Sequence, residues 1–555
     1  MANMNKNRMN NNLPKEDKNT KLNHEGAVVH KLNGLEELFS RVQGSYMGEG
    51  GFYEKSSPEK DFRRIQEIIS GLSQEDAEYA LKIAAIGREG NAISYPLAVL
   101  TACYNDEKYK GVQFADENGV NKLGMYSDMI IRRGKDITEI LANQFAMYGF
   151  DSIDGRRTTP IPKQERKNLK RKLEQFDEYK IAKALGKNSM VSMADAVKLL
   201  RPANKSEFFK SIIEGNVKFA NGKKQVQSEI TKVNNKNSES TVKDVKKSIE
   251  DSSLMAIVKN LVAMNRAGAI DKETAKVIAD KLNNEDLVRG SRIMPYQLYD
   301  AYKMYKRVAS GAEGVMICDA LIAAIDSSVN NVDEIEGYTA FFVDLSGSMG
   351  YTVSGFSSTQ CHELAALLAA IGAKKSNAKV YAFADSCQEV HISRHSTVVD
   401  ITEKILHTNV GGCTYLIKAL NAVAASGEKF DNVVVLTDGD CYSYSDRAGL
   451  HFGNGWGSTD KSCDNVVNKL IKNKVMKRIF VNNLKSTDFT IVNTDDYRKN
   501  LVTGFTERYI DEINFSILLE KEANDIRKII DILFDKYYGS NAKKKTKKVK
   551  RSNKK

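Results

Sequence analysis

The periodicity of the apolar residues changes once, near residue 336, and that change divides the 555-residue chain into two kinds of architecture. Upstream, from about residue 30 to 335, apolar positions recur every three to four residues. Phe62, Ile65, Ile68 and Ile69 keep a 3.6-residue period, Gly71 follows as a stop, and Ser73 with Asp76 begins the next helix. The same signals predict helices at about 94–105, 124–148, 164–185, 192–200, 205–214, 253–265, 272–282 and 295–309. Such a succession, joined by short turns, reads as paired helices stacked in an irregular α-solenoid, although no repeat of fixed period is visible. Downstream, apolar strands at Tyr338–Val343, Lys379–Ala384, Val433–Thr437 and Arg478–Asn482 alternate with helices at about 359–374, 414–425 and 459–474. That is the pattern of a doubly wound α/β domain.

A chain of this length exceeds what one core serves, so several domains are expected. The N-terminal residues 1–26, rich in Asn and Lys, are expected to be disordered. Residues 27–335 form the helical domain, with a polar insertion at 221–252, and residues 336–515 form the α/β domain. An amphipathic stretch at 516–541 reads as one C-terminal helix, and 542–555 is a basic tail.

The α/β region carries an oxygen-rich cluster. Residues 338–343 deliver Asp344, Ser346 and Ser348 to a strand end, and Gly411-Gly412-Cys413-Thr414 opens a helical stretch. The run Asn432–Thr437 then brings Asp438 and Gly439 to the end of a second strand. Hard divalent ions such as Mg2+ take oxygen ligands and keep waters, so Asp344, Ser346, Ser348, Thr414 and Asp438 suit such an ion. Their hydroxyls leave it electrophilic, ready for a partner's carboxylate or phosphate. The alternative for Asp344-x-Ser-x-Ser taken alone is a serine-rich turn capped by Asp; three segments in order favour the metal. This cluster resembles the metal-ion-dependent adhesion site of von Willebrand factor A domains.

Seven cysteines, odd in number and without a Cys-x-x-Cys pair, argue against a zinc site or a disulfide framework and are expected to be reduced. No apolar run of eighteen residues appears and the first residues are polar, so the expectation is a soluble, cytoplasmic, monomeric protein without membrane contact. The net charge is +12, and its location matters more than its size: the tail from Ala542 to Lys555 holds nine Lys or Arg and no acid. Arg156 to Lys172 holds eight basic residues against Glu165 alone. A helix beginning near Lys163 would set Arg166, Lys167, Lys170 and Arg171 on one side, where phosphates could track them. Lys183, Lys187, Lys198 and Arg201 extend the patch. A solvated helix face is the plainer reading of such a run.

Further stretches carry a resemblance that spans roughly residues 35 to 515. Gly44–Tyr53 looks like the Gly-Ser-Glu-Gly-Gly-x-Tyr-Tyr segment of the Ro autoantigen family, the TROVE-domain proteins, with an insertion. Arg88–Pro96 and Ile161–Lys167 resemble that family's Gln-Glu-Gly-Arg and Leu-Pro-Lys-x-x-Arg-Lys segments, and Leu254–Met264, Arg292–Tyr296 and Phe489–Asp496 continue the match. The resemblance implies HEAT-like helical pairs in a ring closed by a von Willebrand-type domain. It also implies binding of small noncoding Y-type RNA on an outer basic surface, and of single-stranded ends of misfolded RNA in a central hole. Departures exist. Val191-Ser192-Met193-Ala194-Asp195 stands where the family has Trp-Ser-His-Lys-Asp, whose histidine contacts RNA, and Met294 and Gln297 stand where relatives often carry histidine. Thr414 follows Gly-Gly one residue later than in close relatives.

The expected function is thus an RNA-binding scaffold, with a nuclease or helicase as a possible partner at the metal site. The alternative is a Mg2+-dependent adhesion module on a helical spacer. Catalysis is not expected: Gly347-Ser348-Met349-Gly350 is no Gly-x-Ser-x-Gly elbow, and none of the seven histidines has triad or ligand spacing.

Overall fold

The computed structural model describes residues 19–23, 28–44, 47–48, 56–90, 92–149, 151–153, 156–158, 161–182, 184–185, 190–203, 206–215, 246, 249–250, 252–291, 293–353, 358–393, 395–439, 463–484, 488–503, 508–520 and 525–539. Most of the polar insertion at 221–252 and all of the basic tail at 542–555 lie outside these residues. The chain divides into two compact units, one made of Leu32–Gly222 with Asp525–Lys555, the other of Met1–Lys31 with Lys223–Asn524. The helical block expected at 27–335 is therefore split, its later helices clustering with the α/β domain.

In the first unit the Ser94–Asn105 helix is buried on every side from Tyr95 to Tyr104, as a helix apolar all round must be. The Ala77–Glu89 helix packs against it and buries Ala80, Leu81, Ala84 and Ala85. The Pro58–Gly71 helix starts with Pro58 in its first turn and Ser57 accepting the Lys60 N–H. Two expected helices are broken. The stretch 124–148 forms Leu123–Ile130 and Gly134–Tyr148, because Asp136 turns back to accept the N–H groups of Arg132 (2.9 Å) and Arg133 (3.0 Å). Asp136 is fully buried and paired with Arg88 at 2.7 Å, which fixes the break. The stretch 164–185 forms Lys163–Gln175 and Glu178–Ala182, the second capped by Asp177 accepting the Lys180 N–H at 2.7 Å.

The single C-terminal helix expected at 516–541 is also two. Tyr509–Leu519 ends at Glu520, whose φ of 48° leaves the helical region, and Ile526–Phe534 starts afresh with Asp525 accepting the Arg527 N–H. The second of these belongs to the first unit. It buries Ile529, Ile530 and Leu533 against the Ala77–Glu89 helix, with Lys82 paired to Asp531 at 2.6 Å and Arg527 to Asp76 at 2.7 Å.

The second unit holds two sheets. Strands β1 (Thr20–Leu22) and β2 (Val28–Lys31) pair antiparallel. The expectation of disorder over 1–26 thus fails for residues 19–23. The reason is tertiary: Val29 is fully buried in the α/β core, and β2 also pairs with Phe489–Thr490. In the first unit a hairpin of β3 (Asp151–Ile153) and β4 (Arg156–Thr158) precedes the basic helix. With β10 (Phe489–Thr490) in the small sheet beside β2, the main sheet comprises β5 (Thr339–Asp344), β6 (Ala378–Phe383), β7 (Cys387–Val390), β8 (Phe430–Thr437), β9 (Met476–Asn483) and β11 (Lys499–Thr503). Its order is β11-β9-β8-β5-β6-β7, parallel except for β6 with β7. Every residue of β5 is buried, as a central parallel strand covered on both faces requires. The Cys361–Lys375 helix lies close enough over β5 that a Cβ on Gly372 would collide with the Phe341 ring.

The chain runs from β5 outward through β6 and β7, then returns to β8 on the other side of β5 and continues through β9 to β11. Strand order reverses between β5 and β8. Ligands of open parallel sheets collect in the crevice at the carboxyl end of such a switch point.

Candidate metal centre and nucleic-acid interface

Asp344 is the last residue of β5 and Asp438 follows the last residue of β8, so both carboxylates reach the switch point. The Ser346 N–H donates to one Asp344 oxygen at 2.9 Å, and the Thr437 hydroxyl donates to the other at 2.7 Å. The Ser346 and Ser348 hydroxyls lie 3.3 Å apart. The Gly347 N–H, between them, donates to the Gly412 carbonyl at 2.8 Å and so joins the first loop to the one that carries Thr414. Asp344, Ser346, Ser348, Thr414 and Asp438 are all buried. Burial, and then the charge of Asp438, push the Asp344 carboxyl well above the usual carboxylate range. Asp344 and Asp438 lie close enough for their charges to interact, and the buried hydroxyls of Ser346, Ser348 and Thr414 sit on two loops joined at Gly412; such a donor set suits a hard cation, whose charge would relieve the repulsion between the carboxylates. Among the described residues no three His, Cys, Asp or Glu side chains converge, so the set rests on two carboxylates and on hydroxyl oxygens.

Two residues at this centre escape the five-residue cluster. Thr437 orients Asp344, and the strand that precedes Asp438 is its only trace in the sequence. Asp385, just beyond β6, accepts the N–H groups of Gly412 at 3.0 Å and Cys413 at 3.1 Å. Burial works to raise the Asp385 carboxyl, but those N–H groups and the Lys418 charge outweigh it and hold it below its ordinary value.

The basic residues are sorted by the structure. On the Lys163–Gln175 helix, Lys163, Arg166 and Lys167 are exposed and Lys170 is half-buried, at spacings of three and four along one face. Among the described residues none of these four has an ion-pair partner. Arg171 faces elsewhere: its guanidinium donates to the Gly124 carbonyl (2.9 Å) and to Asp128 (3.1 Å) on the Leu123–Ile130 helix. Glu165, the acid of this segment, is fully buried beneath the helix, so it does not neutralise the exposed face. Lys198 and Arg201 are exposed at the Met193–Leu200 helix, Arg201 with φ of 48°. Lys183 and Lys187 lie outside the described residues. Met193, where the family pattern has histidine, is buried, and the start of its helix is capped by Ser192 and Asp195. Among the described residues no helix is long and apolar enough to cross a membrane.

The sheet order and its switch-point cluster define a von Willebrand factor A-type domain preceded by helices. Residues 339–449 match the Ro60 vWA domain and residues 245–313 match the TROVE domain. RNA-binding protein RO60 of Caenorhabditis elegans is 24% identical over 217 residues, covering 36% of this chain and 33% of that relative. The chain thus spans about a third of that relative's length. The crystal structure of the Deinococcus radiodurans RO (RSR) protein shares the fold, with a TM-score of 0.55 at 17% identity over 87% of this chain and 99% of that one. In these two segments, and in its fold, the chain is similar to Ro-family proteins.

Proposed function

We propose that this protein is an RNA-binding scaffold that holds small noncoding RNA of the Y type and single-stranded ends of misfolded RNA. The observation that carries the reading is the row Lys163, Arg166, Lys167 and Lys170, unpaired among the described residues, with Glu165 withdrawn into the core. Four cations along one helix face neutralise phosphates without reading bases. If each meets one phosphate of single-stranded RNA, the logarithm of affinity falls with the logarithm of salt at a slope of about −2.8 from this helix alone. The name of the Caenorhabditis elegans relative, an RNA-binding protein, supports the same partner. The test is a gel-shift titration with the Lys163→Glu, Arg166→Glu, Lys167→Glu, Lys170→Glu variant, which loses RNA while remaining folded. Unchanged affinity sinks the reading.

The switch-point cluster supports a second site on the same chain. Its two carboxylates and three hydroxyls would hold Mg2+ or another divalent ion, which would supply an open coordination position for a carboxylate of a protein partner, such as a nuclease or helicase. Calorimetric titration with Mg2+ of the native chain and of Asp344→Ala tests the ion, and pull-down from the same pair tests the partner. Native protein that takes up no divalent ion removes this second site without touching the RNA reading.

A further inference from the structure

Asp385 lies outside the cation cluster, and nothing in the spacing of that cluster points to it. Its carboxylate receives two consecutive backbone N–H groups, Gly412 at 3.0 Å and Cys413 at 3.1 Å. It also fills the space beside Gly411, where φ is +96° and a Cβ would collide with the carboxylate. Backbone bonds pin both ends of the same loop to the end of β6: the Ser386 N–H donates to Val410 at 2.9 Å, and the Tyr415 N–H to Ala384 at 3.1 Å. On its far side the Gly412 carbonyl accepts the Gly347 N–H at 2.8 Å, between Ser346 and Ser348. A continuous path therefore runs from Asp385 through Gly412 to the serine turn, and through Cys413 to Thr414.

We propose that Asp385 is a positioning residue of the cation centre. By clamping Gly412 and Cys413 it sets where Thr414 presents its hydroxyl, and it holds the Gly412 carbonyl that steadies the Ser346–Ser348 turn. This inference rests on the divalent-cation reading of the centre.

The test is calorimetric titration of the full-length protein with Mg2+, beside melting in EDTA. Asp385→Ala is expected to weaken Mg2+ binding by about 10- to 100-fold, the usual cost of removing a group that orients ligands, with little change in the EDTA melting point. Asp385→Asn, whose amide oxygen keeps one acceptor, recovers part of the affinity. Gly411→Ala, which displaces the carboxylate from the other side, reproduces the loss. Native Mg2+ affinity in Asp385→Ala overturns the assignment. Should Asp385→Ala fail to fold, Asp385→Asn and Gly411→Ala decide it: weakened binding in both supports the clamp, and native binding in both overturns it. Wild-type protein that binds no Mg2+ overturns the cation reading itself, and this inference with it.

Discussion

The Thr437 hydroxyl donates to Asp344 at 2.7 Å across neighbouring strands, and the Ser346 N–H takes the other oxygen, so a fully buried carboxylate is held in one orientation beside Asp438. Two acids confined in this way destabilise the metal-free fold. Asp344→Asn removes one charge and keeps the shape, so in EDTA the variant is expected to melt higher than the native protein. Each kcal/mol released is worth about 2–4 °C for a unit of this size. Mg2+ should raise the native melting temperature and leave that of the variant where it was. Thermal-shift curves with EDTA and with Mg2+ check both signs, and a native curve indifferent to Mg2+ defeats the argument.

The cluster was legible in the sequence because its chemistry is written locally: Asp344, Ser346 and Ser348 share one turn, and Thr414 and Asp438 sit where a helix begins and a strand ends. Asp385 was not legible, since it meets Gly412 from 27 residues away and an isolated Asp after a strand carries no pattern. The same division holds for the helices. Periodicity located the apolar faces of 124–148 and 164–185, but the breaks depend on where the carboxylates of Asp136 and Asp177 turn, and for Asp136 burial with Arg88 decides it. Composition suggested that residues 19–23 would stay unstructured, whereas the edge offered by β10 and the buried Val29 hold them through β2. Among the basic residues, charge density marked a helix that does present an exposed basic face. It could not separate Arg166, which is exposed, from Arg171, which is engaged with Gly124 and Asp128.

That separation is itself a prediction. Arg166→Ala should weaken RNA binding and lower the salt slope by about 0.7, with the melting temperature unchanged. Arg171→Ala should do the reverse, lowering the melting temperature because it unties the Lys163–Gln175 helix from the Leu123–Ile130 helix. Parallel gel-shift and melting measurements distinguish them. Equal losses of RNA affinity without loss of stability would put Arg171 back on the RNA-facing side.

Glu165 gives the helical unit a pH dependence. It is fully buried, neither carboxyl oxygen has a hydrogen-bond partner among the described residues, and burial pushes its pKa well above the ordinary range. In the unfolded chain a Glu releases its proton near pH ~4.3, while the folded chain retains it. The unfolded state therefore binds fewer protons as pH rises through that window, so this residue lowers stability progressively with pH until the folded carboxyl also ionises. Glu165→Met removes the titration and keeps the volume. Beyond the pH-independent cost of a buried carboxyl without partners, roughly 1–3 kcal/mol, its advantage over the native chain should widen between pH 5 and pH 8 by up to about 1.4 kcal/mol per pH unit for as long as the folded carboxyl keeps its proton. Urea unfolding at the two pH values checks the widening, and a constant difference would show that Glu165 is ionised or partnered.

The C-terminal helix Ile526–Phe534 supplies the last test, because its contacts divide into an apolar face and exposed ion pairs of very different worth. Ile529, Ile530 and Leu533 are buried against the Ala77–Glu89 helix, and the Tyr538 hydroxyl donates to the Ala85 carbonyl at 2.9 Å. Burying one such aliphatic side chain contributes about 1.5–3 kcal/mol. The Arg527 pair with Asp76 is half-exposed, and pairs of that kind contribute about 0–1 kcal/mol. Ile530→Asp with Leu533→Asp should therefore lower the melting temperature and speed hydrogen exchange along the Ala77–Glu89 helix, whereas Arg527→Ala should leave both nearly unchanged. If the helix were held mainly by its charges, Arg527→Ala would be the damaging variant, and exchange in Ala77–Glu89 would follow that substitution instead.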